Sequence, residues 1–403
     1  MLNCYAKCLT INGKDQNGGA VHPILEHHSG EYGKNPFSVV SAPGRVSLLG
    51  EFSSPGDGLL LQLAIDKRLY VACSPRSDNS LRFYSVDLGE RKKSSLSGLK
   101  YKREDRWANY IKGVIFAFLN SGHPIKGMDI TIQGDIPQGV GLGSSAALCI
   151  AAASAICQVF SLELSTFQIL DAARQSEVLF LGQYTGMGQA MAALKSEKGK
   201  LLFTDLKNLE NTSIDYPRGD AFFVLTDSKV PQNSFESDGI DYQQEIKDLV
   251  TYLGKRKSGS SLRDFSKDDL REVVGKISEE VRRRCIHLLE ESERVEDGIN
   301  YLEKGDFESF GRLMNRSHEG LRDMWEVSCP EIDWLVKRAW ETPGVYGSKM
   351  TGEGFGGCTV SLMTKLALEE YTKHLEEYDR IFGFTPEYMI LEPSDGLRFE
   401  NTL

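Results

Sequence analysis

The sequence lacks the features that mark several special classes of protein. Its cysteines show no paired spacing typical of a zinc site or a disulfide framework, so we predict buried free thiols. Basic residues are in deficit, 47 Lys and Arg against 57 Asp and Glu, and the net charge of −10 argues against nucleic-acid partners and anionic membrane surfaces. The eight cysteines are Cys4, Cys8, Cys73, Cys149, Cys157, Cys285, Cys329 and Cys358.

The chain also lacks internal repeats, low-complexity tracts and a membrane segment. Its apolar run over 146–159 is too short to span a bilayer, and the N-terminus has no long apolar core of a signal peptide. We therefore expect a cytoplasmic protein. A length of 403 residues, with 40% hydrophobic and 26% charged residues, is typical of a two-domain globular enzyme.

The order of predicted elements indicates an α+β fold, because strands and helices are interleaved with few clean βαβ units. Residues 252–267 are the best candidate for an exposed connection, and apolar spacing over 270–302 predicts a helix pair ended by Gly305 and Asp306. Helices are predicted over 106–119, 146–159 and 166–182. Strands are predicted over 38–40, 59–71, 128–133, 200–205, 221–226, 358–363 and 388–391.

The first 36 residues are polar and rich in glycine and histidine, so we predict a loosely held arm that includes at most short elements. His27 and His28 are adjacent there. They have no third ligand at helical or zinc-finger spacing, and we expect no metal site.

The most informative segment is 137–147, Pro-Gln-Gly-Val-Gly-Leu-Gly-Ser-Ser-Ala-Ala. Its glycines allow backbone N–H groups to surround an anion, and the helix that follows directs its positive end to the same place. Ser144 and Ser145 lie in the first turn, where a hydroxyl caps the helix or binds the Mg²⁺ of a nucleotide. Taken alone, the segment is equally consistent with a simple chain reversal, and it matches neither a Walker loop nor Gly-x-Gly-x-x-Gly.

Two further segments complete a trio of motifs. Residues 41–51 read Ser-Ala-Pro-Gly-Arg-Val-Ser-Leu-Leu-Gly-Glu, and residues 347–357 read Gly-Ser-Lys-Met-Thr-Gly-Glu-Gly-Phe-Gly-Gly. With the glycine-rich segment between them, they resemble the three motifs of the GHMP small-molecule kinases in their galactokinase form. The likeness extends over about 37–395 and includes the stretches 107–114, 311–321 and 327–331.

The resemblance implies a two-domain α+β GHMP kinase fold with the active site at the domain interface. We expect an arm over 1–36, an N-terminal domain with the nucleotide loop over 37–215, and a C-terminal domain over 216–403. The implied reaction uses ATP and Mg²⁺ to phosphorylate a hydroxyl of a small-molecule sugar or polyol. The oligomeric state stays open.

The resemblance also assigns roles to residues of this chain. Arg45 matches the arginine beside the transferring phosphate, and Glu177 matches the glutamate that holds Mg²⁺ together with Ser145 rather than Ser144. A surface salt bridge and a solvated helix carboxylate are the plain alternatives for Arg45 and Glu177. The expected acceptor contacts are Glu51, Gly188, Gly354 and Gly356. The expected nucleotide contacts are Trp107 near the adenine, unless it is a core aromatic, and Pro137, Gly139, Gly141, Leu142, Gly143, Ser144, Ser145 and Ala146.

One departure from the family concerns the proposed catalytic base. Galactokinases read Gly-Ile-Met-Asp-Gln at a position where this chain reads Gly186-Met187-Gly188-Gln189, in a loop one residue shorter. Gly188 has no side chain to accept a proton, and loss of such a base normally lowers the rate by about 10²–10⁴-fold. Asp57 or Asp241 is a candidate for a displaced carboxylate, and spacing favours neither.

The sugar contacts depart as well. The family's Glu-His-Thr-Asp-Tyr reads Glu51-Phe52-Ser53-Ser54-Pro55 here, and its Tyr-Asn-x-Arg-Arg aligns best with residues 239–243, Gly-Ile-Asp-Tyr-Gln. Lys349 replaces an arginine and Glu353 replaces a glycine in the third motif.

Two hypotheses about function follow from these departures. In the first, the chain is a kinase that phosphorylates a sugar or polyol other than galactose, or that phosphorylates galactose poorly. In the second, it is a pseudoenzyme that acts as a nucleotide or sugar sensor or as an interaction protein.

Overall fold

A computed structural model describes residues 22–183, 186–217, 219–232 and 242–400. Over these ranges the chain folds into two β-sheets, one of eight strands and one of four, with helices packed on both. The strands are β1 (Ser38–Leu49), β2 (Leu59–Pro75), β3 (Ser80–Ser85), β4 (Glu90–Ser95), β5 (Met128–Gly134), β6 (Lys200–Asp205), β7 (Glu210–Asp215), β8 (Ala221–Asp227), β9 (Val345–Thr351), β10 (Cys358–Thr364), β11 (Glu387–Ile390) and β12 (Arg398–Glu400).

The helices fall into a group before β6 and a group after β8, and a π-helical segment, Ser176–Phe180, directly follows α4. The α-helices are α1 (Pro23–Tyr32), α2 (Ala108–Asn120), α3 (Ser144–Phe160), α4 (Thr166–Gln175), α5 (Met187–Lys195), α6 (Tyr242–Gly254), α7 (Lys267–Arg271), α8 (Glu279–Lys304), α9 (Phe307–Asp323), α10 (Pro330–Glu341) and α11 (Lys365–Phe382).

The larger sheet has the order β12-β1-β2-β5-β3-β4, with β6 on the other part of β2 and β7 beside β6. β3 and β5 are parallel, and the other described pairs are antiparallel. The alanine-rich α3 packs on β1 and β2 and is buried from Ala146 to Ile156. Small side chains allow this close approach, so the start of α3 is rigidly positioned over the sheet.

The smaller sheet is antiparallel, in the order β11-β8-β10-β9. Helices α9 and α10 pack on β9, and α11 packs on β10. The long α8 contacts α9 as well as β1, β2 and β7 of the larger sheet, so it joins the two parts of the molecule. The predicted mixture of strands and helices is confirmed.

Most predicted elements are found where the sequence placed them. The strands predicted over 128–133, 200–205 and 358–363 match β5, β6 and β10, and β1 is much longer than predicted. β7 ends at Asp215 and the smaller sheet begins with β8. β12 pairs with β1, so the last described strand lies in the larger sheet.

Two predictions for the region before α8 hold only in part. The predicted connection over 252–267 is largely exposed over 254–260, but it continues into Leu262 and Phe265, which are buried in a core with α6 and α8. The first member of the predicted helix pair is only the short α7, which ends at Arg271 with Glu272 as its C-cap. Turns follow, in which Gly275 has a left-handed φ of +76°, and Ser278 then caps α8. Gly305 and Asp306 end α8 as predicted.

The described part of the arm is packed rather than loose. α1 places His28 in the interior, where its two ring nitrogens lie 2.9 Å from the hydroxyls of Thr131 and Ser74. His27 is exposed on the opposite side. The two histidines therefore point in different directions, as a core histidine and a surface histidine do.

The cysteines among the described residues carry free thiols, as predicted. Four of them, Cys73, Cys149, Cys285 and Cys358, are buried, and burial raises their thiol pKa values. Cys4 and Cys8 lie outside the described residues. No described helix combines the length and apolar character needed to cross a bilayer.

Candidate functional site

The glycine-rich segment forms a tight loop that leads into α3. Gly139, Gly141 and Gly143 all have left-handed φ values, +71°, +84° and +72°, which side chains rarely adopt. Gly143 is the N-cap of α3, and no side chain caps the helix there. The hydroxyls of Ser144 and Ser145, both half-buried, are therefore not used as caps. A loop of this shape at a helix N-terminus suits a phosphate group.

The other loop residues predicted to bind nucleotide differ in their exposure. Leu142 and Ala146 are buried, so only their backbone groups can face a ligand. Pro137 is half-buried at the entry of the loop. Trp107 precedes α2, and its indole N–H donates a hydrogen bond to Glu90 at 3.1 Å, so the ring is anchored against β4.

Arg45 on β1 is held directly beneath this loop. Its Nη1 donates to the carbonyl of Gly141 at 2.7 Å, and its backbone N–H donates to the carbonyl of Leu142 at 2.8 Å. The side chain is buried, which excludes the alternative of a surface salt bridge. Burial lowers the pKa of Arg45, whereas the carboxylates of Glu51, Glu353 and Glu177 act to raise it. A guanidinium at this position supplies positive charge to a bound phosphate.

The third motif forms the turn between β9 and β10 and lies against the phosphate loop. Gly352 and Gly141 approach so closely that a Cβ on Gly352 would lie 2.8 Å from the Cα of Gly141. Loops from the two sheets thus meet at one place. A Cβ on Gly354 would lie against the carbonyl of Val327, and one on Gly356 would lie against the carbonyl of Val230. These two glycines can therefore contact a substrate only through backbone atoms.

Glu51 links the first motif to the third. Its Oε2 lies 3.0 Å from Nζ of Lys349, and its Oε1 accepts a hydrogen bond of 2.5 Å from the backbone N–H of Gly352. All three groups are buried. Both carboxylate oxygens are therefore engaged in joining the two motifs.

Glu177 lies in the π-helical segment after α4 and is buried, which excludes the alternative of a solvated helix carboxylate. Its charge acts on both Arg45 and Tyr110, so it faces the same region as the phosphate loop. A carboxylate and the hydroxyl of Ser145 are oxygen ligands of the kind that Mg²⁺ prefers. Among the described residues, no group of three or more His, Cys, Asp or Glu side chains is placed to hold a metal ion.

A side chain at the position of the expected base would require a neighbouring side chain to move. A Cβ on Gly188 would lie 2.1 Å from Cδ1 of the buried Leu60, and a Cβ on Gly186 would lie 1.9 Å from Oγ of Ser54. The segment at the start of α5 is packed onto the residues that follow the first motif. The loss of the aspartate is therefore accompanied by a tight packing of Leu60 over the glycine.

A carboxylate does reach this region from the third motif. Glu353 is half-buried, accepts a hydrogen bond from the side chain of Gln189, and interacts electrostatically with Arg45. Burial raises its pKa, and Arg45 and Gln189 act in the opposite direction. In the sequence, the change from glycine to glutamate at position 353 indicates only a change of charge. The contact of Glu353 with Gln189, the residue after Gly188, is visible only in the structure.

Of the two carboxylates that the sequence offered as replacements, only Asp57 lies among the described residues. Asp57 interacts with the side chains of Ser261, Lys207 and Arg263, on the side of the loop near α7. Asp241 lies outside the described residues, as does the rest of 239–241. Neither provides a described carboxylate next to Arg45.

The loop after Glu51 presents an apolar face. Phe52 has a left-handed φ of +59° and stacks on Trp325, with ring centroids 4.7 Å apart. The indole N–H of Trp325 in turn donates to Nδ1 of His287 at 2.9 Å. This stack holds Phe52 in a backbone conformation that is uncommon for an aromatic residue.

Comparison with known protein families gives three matches to this chain. The GHMP kinases N terminal domain matches residues 109–196, and the GHMP kinases C terminal family matches residues 299–378. The galactokinase galactose-binding signature matches residues 26–75, which include Arg45 and Glu51.

Individual relatives match nearly the whole chain. A putative galactokinase of Treponema pallidum is 36% identical over 92% of this chain and 94% of its own length. The galactokinase of Roseiflexus sp. is 36% identical over 93% and 96%, and that of Homo sapiens is 33% identical over 91% and 93%. The solved structure of Lactococcus lactis galactokinase complexed with galactose matches with a TM-score of 0.86 and 25% identity, covering 93% of this chain and 98% of that one.

Proposed function

This chain belongs to the galactokinase family of the GHMP kinases, and from that membership we propose that it transfers the terminal phosphoryl group of ATP to a hydroxyl of a sugar or a related polyol. The proposal includes a requirement for Mg²⁺ and a cytoplasmic location. We further propose that the acceptor is a compound other than galactose, or galactose used poorly.

The observation that carries the proposal is the clamp of Arg45 on the phosphate loop. The loop keeps three glycines in left-handed conformations at the start of α3, and Arg45 binds its carbonyl at Gly141 from below. Glycine adopts these left-handed conformations without strain, and the loop brings the N-terminus of α3 close to the buried guanidinium of Arg45. This arrangement suits the binding and orientation of a nucleoside triphosphate.

Different residues of this chain supply the separate contributions that phosphoryl transfer needs. Backbone N–H groups of the loop bind phosphate oxygens, and Arg45 stabilises the charge that develops on the transferring group. Ser145 and Glu177 would hold Mg²⁺, which neutralises phosphate charge when it is bound. Because the transition state is loose, positioning and electrostatics supply most of the acceleration.

The acceptor proposal rests on the loop that follows Glu51. Phe52 and Pro55 replace polar residues of the family pattern, and Phe52 is fixed by its stack on Trp325. Fewer hydrogen-bond partners for sugar hydroxyls weaken selection of galactose, since each buried polar group without a partner costs about 1–3 kcal/mol. We expect an acceptor with fewer hydroxyls, or with apolar substituents, on that side.

One observation favours the second candidate, a pseudoenzyme that binds nucleotide or sugar. Leu60 occupies the space in which an aspartate at position 188 would stand. In this alternative, the phosphate loop is retained for ligand sensing or for partner binding, and no phosphoryl transfer occurs.

The deciding experiment measures ATP consumption with Mg²⁺ against a panel of monosaccharides, including galactose, deoxy sugars, amino sugars, uronic acids and inositols, with mass detection of the product. Arg45→Ala should remove turnover while nucleotide binding is largely kept. Ser145→Ala should lose activity more strongly than the matched Ser144→Ala variant. Tight nucleotide binding without product across the panel would favour the pseudoenzyme, and an Arg45→Ala variant as fast as wild type would refute the role of Arg45.

A further inference from the structure

The family's catalytic carboxylate is missing from α5, but a different carboxylate stands beside Arg45. Three carboxylates act on the guanidinium of Arg45, those of Glu51, Glu177 and Glu353. Glu51 and Glu177 are buried, whereas Glu353 is half-buried, in the turn whose Gly352 packs on Gly141 of the phosphate loop, the residue whose carbonyl Arg45 binds. Glu353 is also hydrogen-bonded to Gln189, the residue directly after the glycine that replaces the aspartate.

We propose that Glu353 accepts the proton of the acceptor hydroxyl during phosphoryl transfer, in the role that an aspartate on α5 would otherwise perform. This inference rests on the proposed kinase function. The hydroxyl oxygen forms its bond to the γ-phosphorus as the bond from that phosphorus to the leaving ADP oxygen breaks. The hydroxyl proton passes to the Glu353 carboxylate, which becomes a neutral acid and later releases the proton to water.

The remaining described carboxylates near the site are poorly suited to this step. Glu51 already binds Lys349 and the Gly352 N–H with its two oxygens. Glu177 is assigned to the Mg²⁺ side, and metal coordination would lower its basicity. Asp57 faces Ser261, Lys207 and Arg263 instead. Among the described residues, Glu353 is left as the carboxylate that acts on Arg45 and is only half-buried.

The turn that carries Glu353 is rigid enough to position a base. Gly352 and Gly354 on either side have φ values of +89° and +93°, and a Cβ on Gly354 would lie 2.3 Å from the carbonyl oxygen of Val327. Gln189 holds the carboxylate from α5. A base held from two elements loses little freedom when the acceptor arrives, which is what general base catalysis needs.

The charges that face Glu353 predict a specific pH dependence. Arg45 on β1 favours the charged carboxylate, whereas Glu51 and burial favour the neutral acid, so the pKa lies above the ordinary 4.5. Tyr110 on α2 faces the same region: burial is the main cause of its raised phenol pKa, and the charges of Glu177 and Glu353 add to it. A base acts only when it is deprotonated, so kcat should fall as the pH drops through the pKa of Glu353.

The test compares Glu353→Gln, Glu353→Asp and Glu353→Gly with wild type, using the acceptor identified by the panel. The glutamine has the shape of glutamate without its basicity, and the glycine restores the residue of the family motif. Glu376→Gln on the exposed face of α11 is the matched surface control. For each variant, kcat, KM, the pH profile of kcat, the Kd for ATP and the melting temperature are measured.

We expect Glu353→Gln to lower kcat by about 10²–10⁴-fold and to lose the acidic limb of the pH profile, with the Kd for ATP and the melting temperature unchanged. Glu353→Asp should retain more activity than Glu353→Gln, and the surface control should match wild type. Unchanged or faster turnover in Glu353→Gln and Glu353→Gly would overturn the base role while the kinase function stands. No product from wild type would overturn the kinase function, and the base role with it.

Discussion

The ammonium group of Lys349 lies 3.0 Å from Oε2 of Glu51, with both side chains buried between the two sheets. Lys349 also donates to the carbonyl of Met350 at 2.7 Å, so the charge is bound by more than one acceptor. Removal of one partner of a buried pair leaves an uncompensated charge in the interior. This pair is therefore expected to hold the first motif against the third.

We predict that Lys349→Met lowers the free energy of unfolding by about 3–5 kcal/mol, the usual cost of breaking a buried pair. Urea unfolding monitored by tryptophan fluorescence measures it. Lys373→Met is the control, because Lys373 and its partner Glu370 are largely exposed and their removal should leave the unfolding midpoint unchanged. Equal midpoints for Lys349→Met and wild type would show that the pair has no structural role.

We predict that Gly188→Asp, which introduces the aspartate of the family pattern, does not restore a working catalytic base. The new Cβ would lie 2.1 Å from Cδ1 of Leu60, so Gly188→Asp should destabilise the protein by about 1–3 kcal/mol through overpacking. The double variant Gly188→Asp with Leu60→Ala should be more stable than the sum of its two single variants implies. A double-mutant cycle in urea measures this coupling, and additive effects would contradict the assigned contact.

Two glycines of the phosphate loop provide a matched pair. Gly139 and Gly143 have nearly the same φ, +71° and +72°, but a Cβ on Gly139 meets nothing within 4 Å, while one on Gly143 would lie 3.1 Å from Cγ of Arg45. Each alanine variant should lose about 1–2 kcal/mol of stability from the left-handed backbone. Gly143→Ala should in addition displace Arg45 and lower kcat at least tenfold more than Gly139→Ala does. Equal kcat values in the two variants would argue against this contact.

The sequence predicts those parts of this protein that depend on local pattern. The alternation in 128–133 and the apolar run of 358–363 predict strands, because one or both faces of each are buried. The pattern failed near Val274, which has helical spacing to Leu270 but is 59% exposed. The helix α7 already ends at Arg271, and turns that include Gly275 at φ +76° take the place of the helix that the apolar periodicity predicts.

The site was predictable only as far as its motifs are continuous in the sequence. The three motifs locate Arg45 and the phosphate loop, and the family pattern reveals the missing aspartate. The contact of Leu60 with Gly188 and that of Glu353 with Gln189 join residues more than a hundred positions apart. No spacing rule relates such residues, so these contacts, and the return of β12 to β1, required the structure.

The histidines of α1 provide a test of the packing in the described part of the arm. Burial lowers the pKa of His28 from 6.5 to about 4, against the opposing effect of Asp129. The folded protein therefore binds fewer protons than the unfolded chain between these two values, and folding stability should fall as the pH is lowered from about 6.5 to about 4. The shift corresponds to at most about 3.5 kcal/mol, at about 1.4 kcal/mol for each pKa unit.

We predict that His28→Gln removes this part of the pH dependence, since glutamine can serve the hydroxyls of Thr131 and Ser74 without titrating. His27→Gln is the neighbouring control, because His27 is exposed, and it should leave the pH dependence as in wild type. Urea midpoints measured at intervals between pH 4 and pH 7.5 test both variants. If His28→Gln and His27→Gln show the same slope, α1 does not bury His28 in solution, and residues 22–36 are the loose arm that their composition suggested.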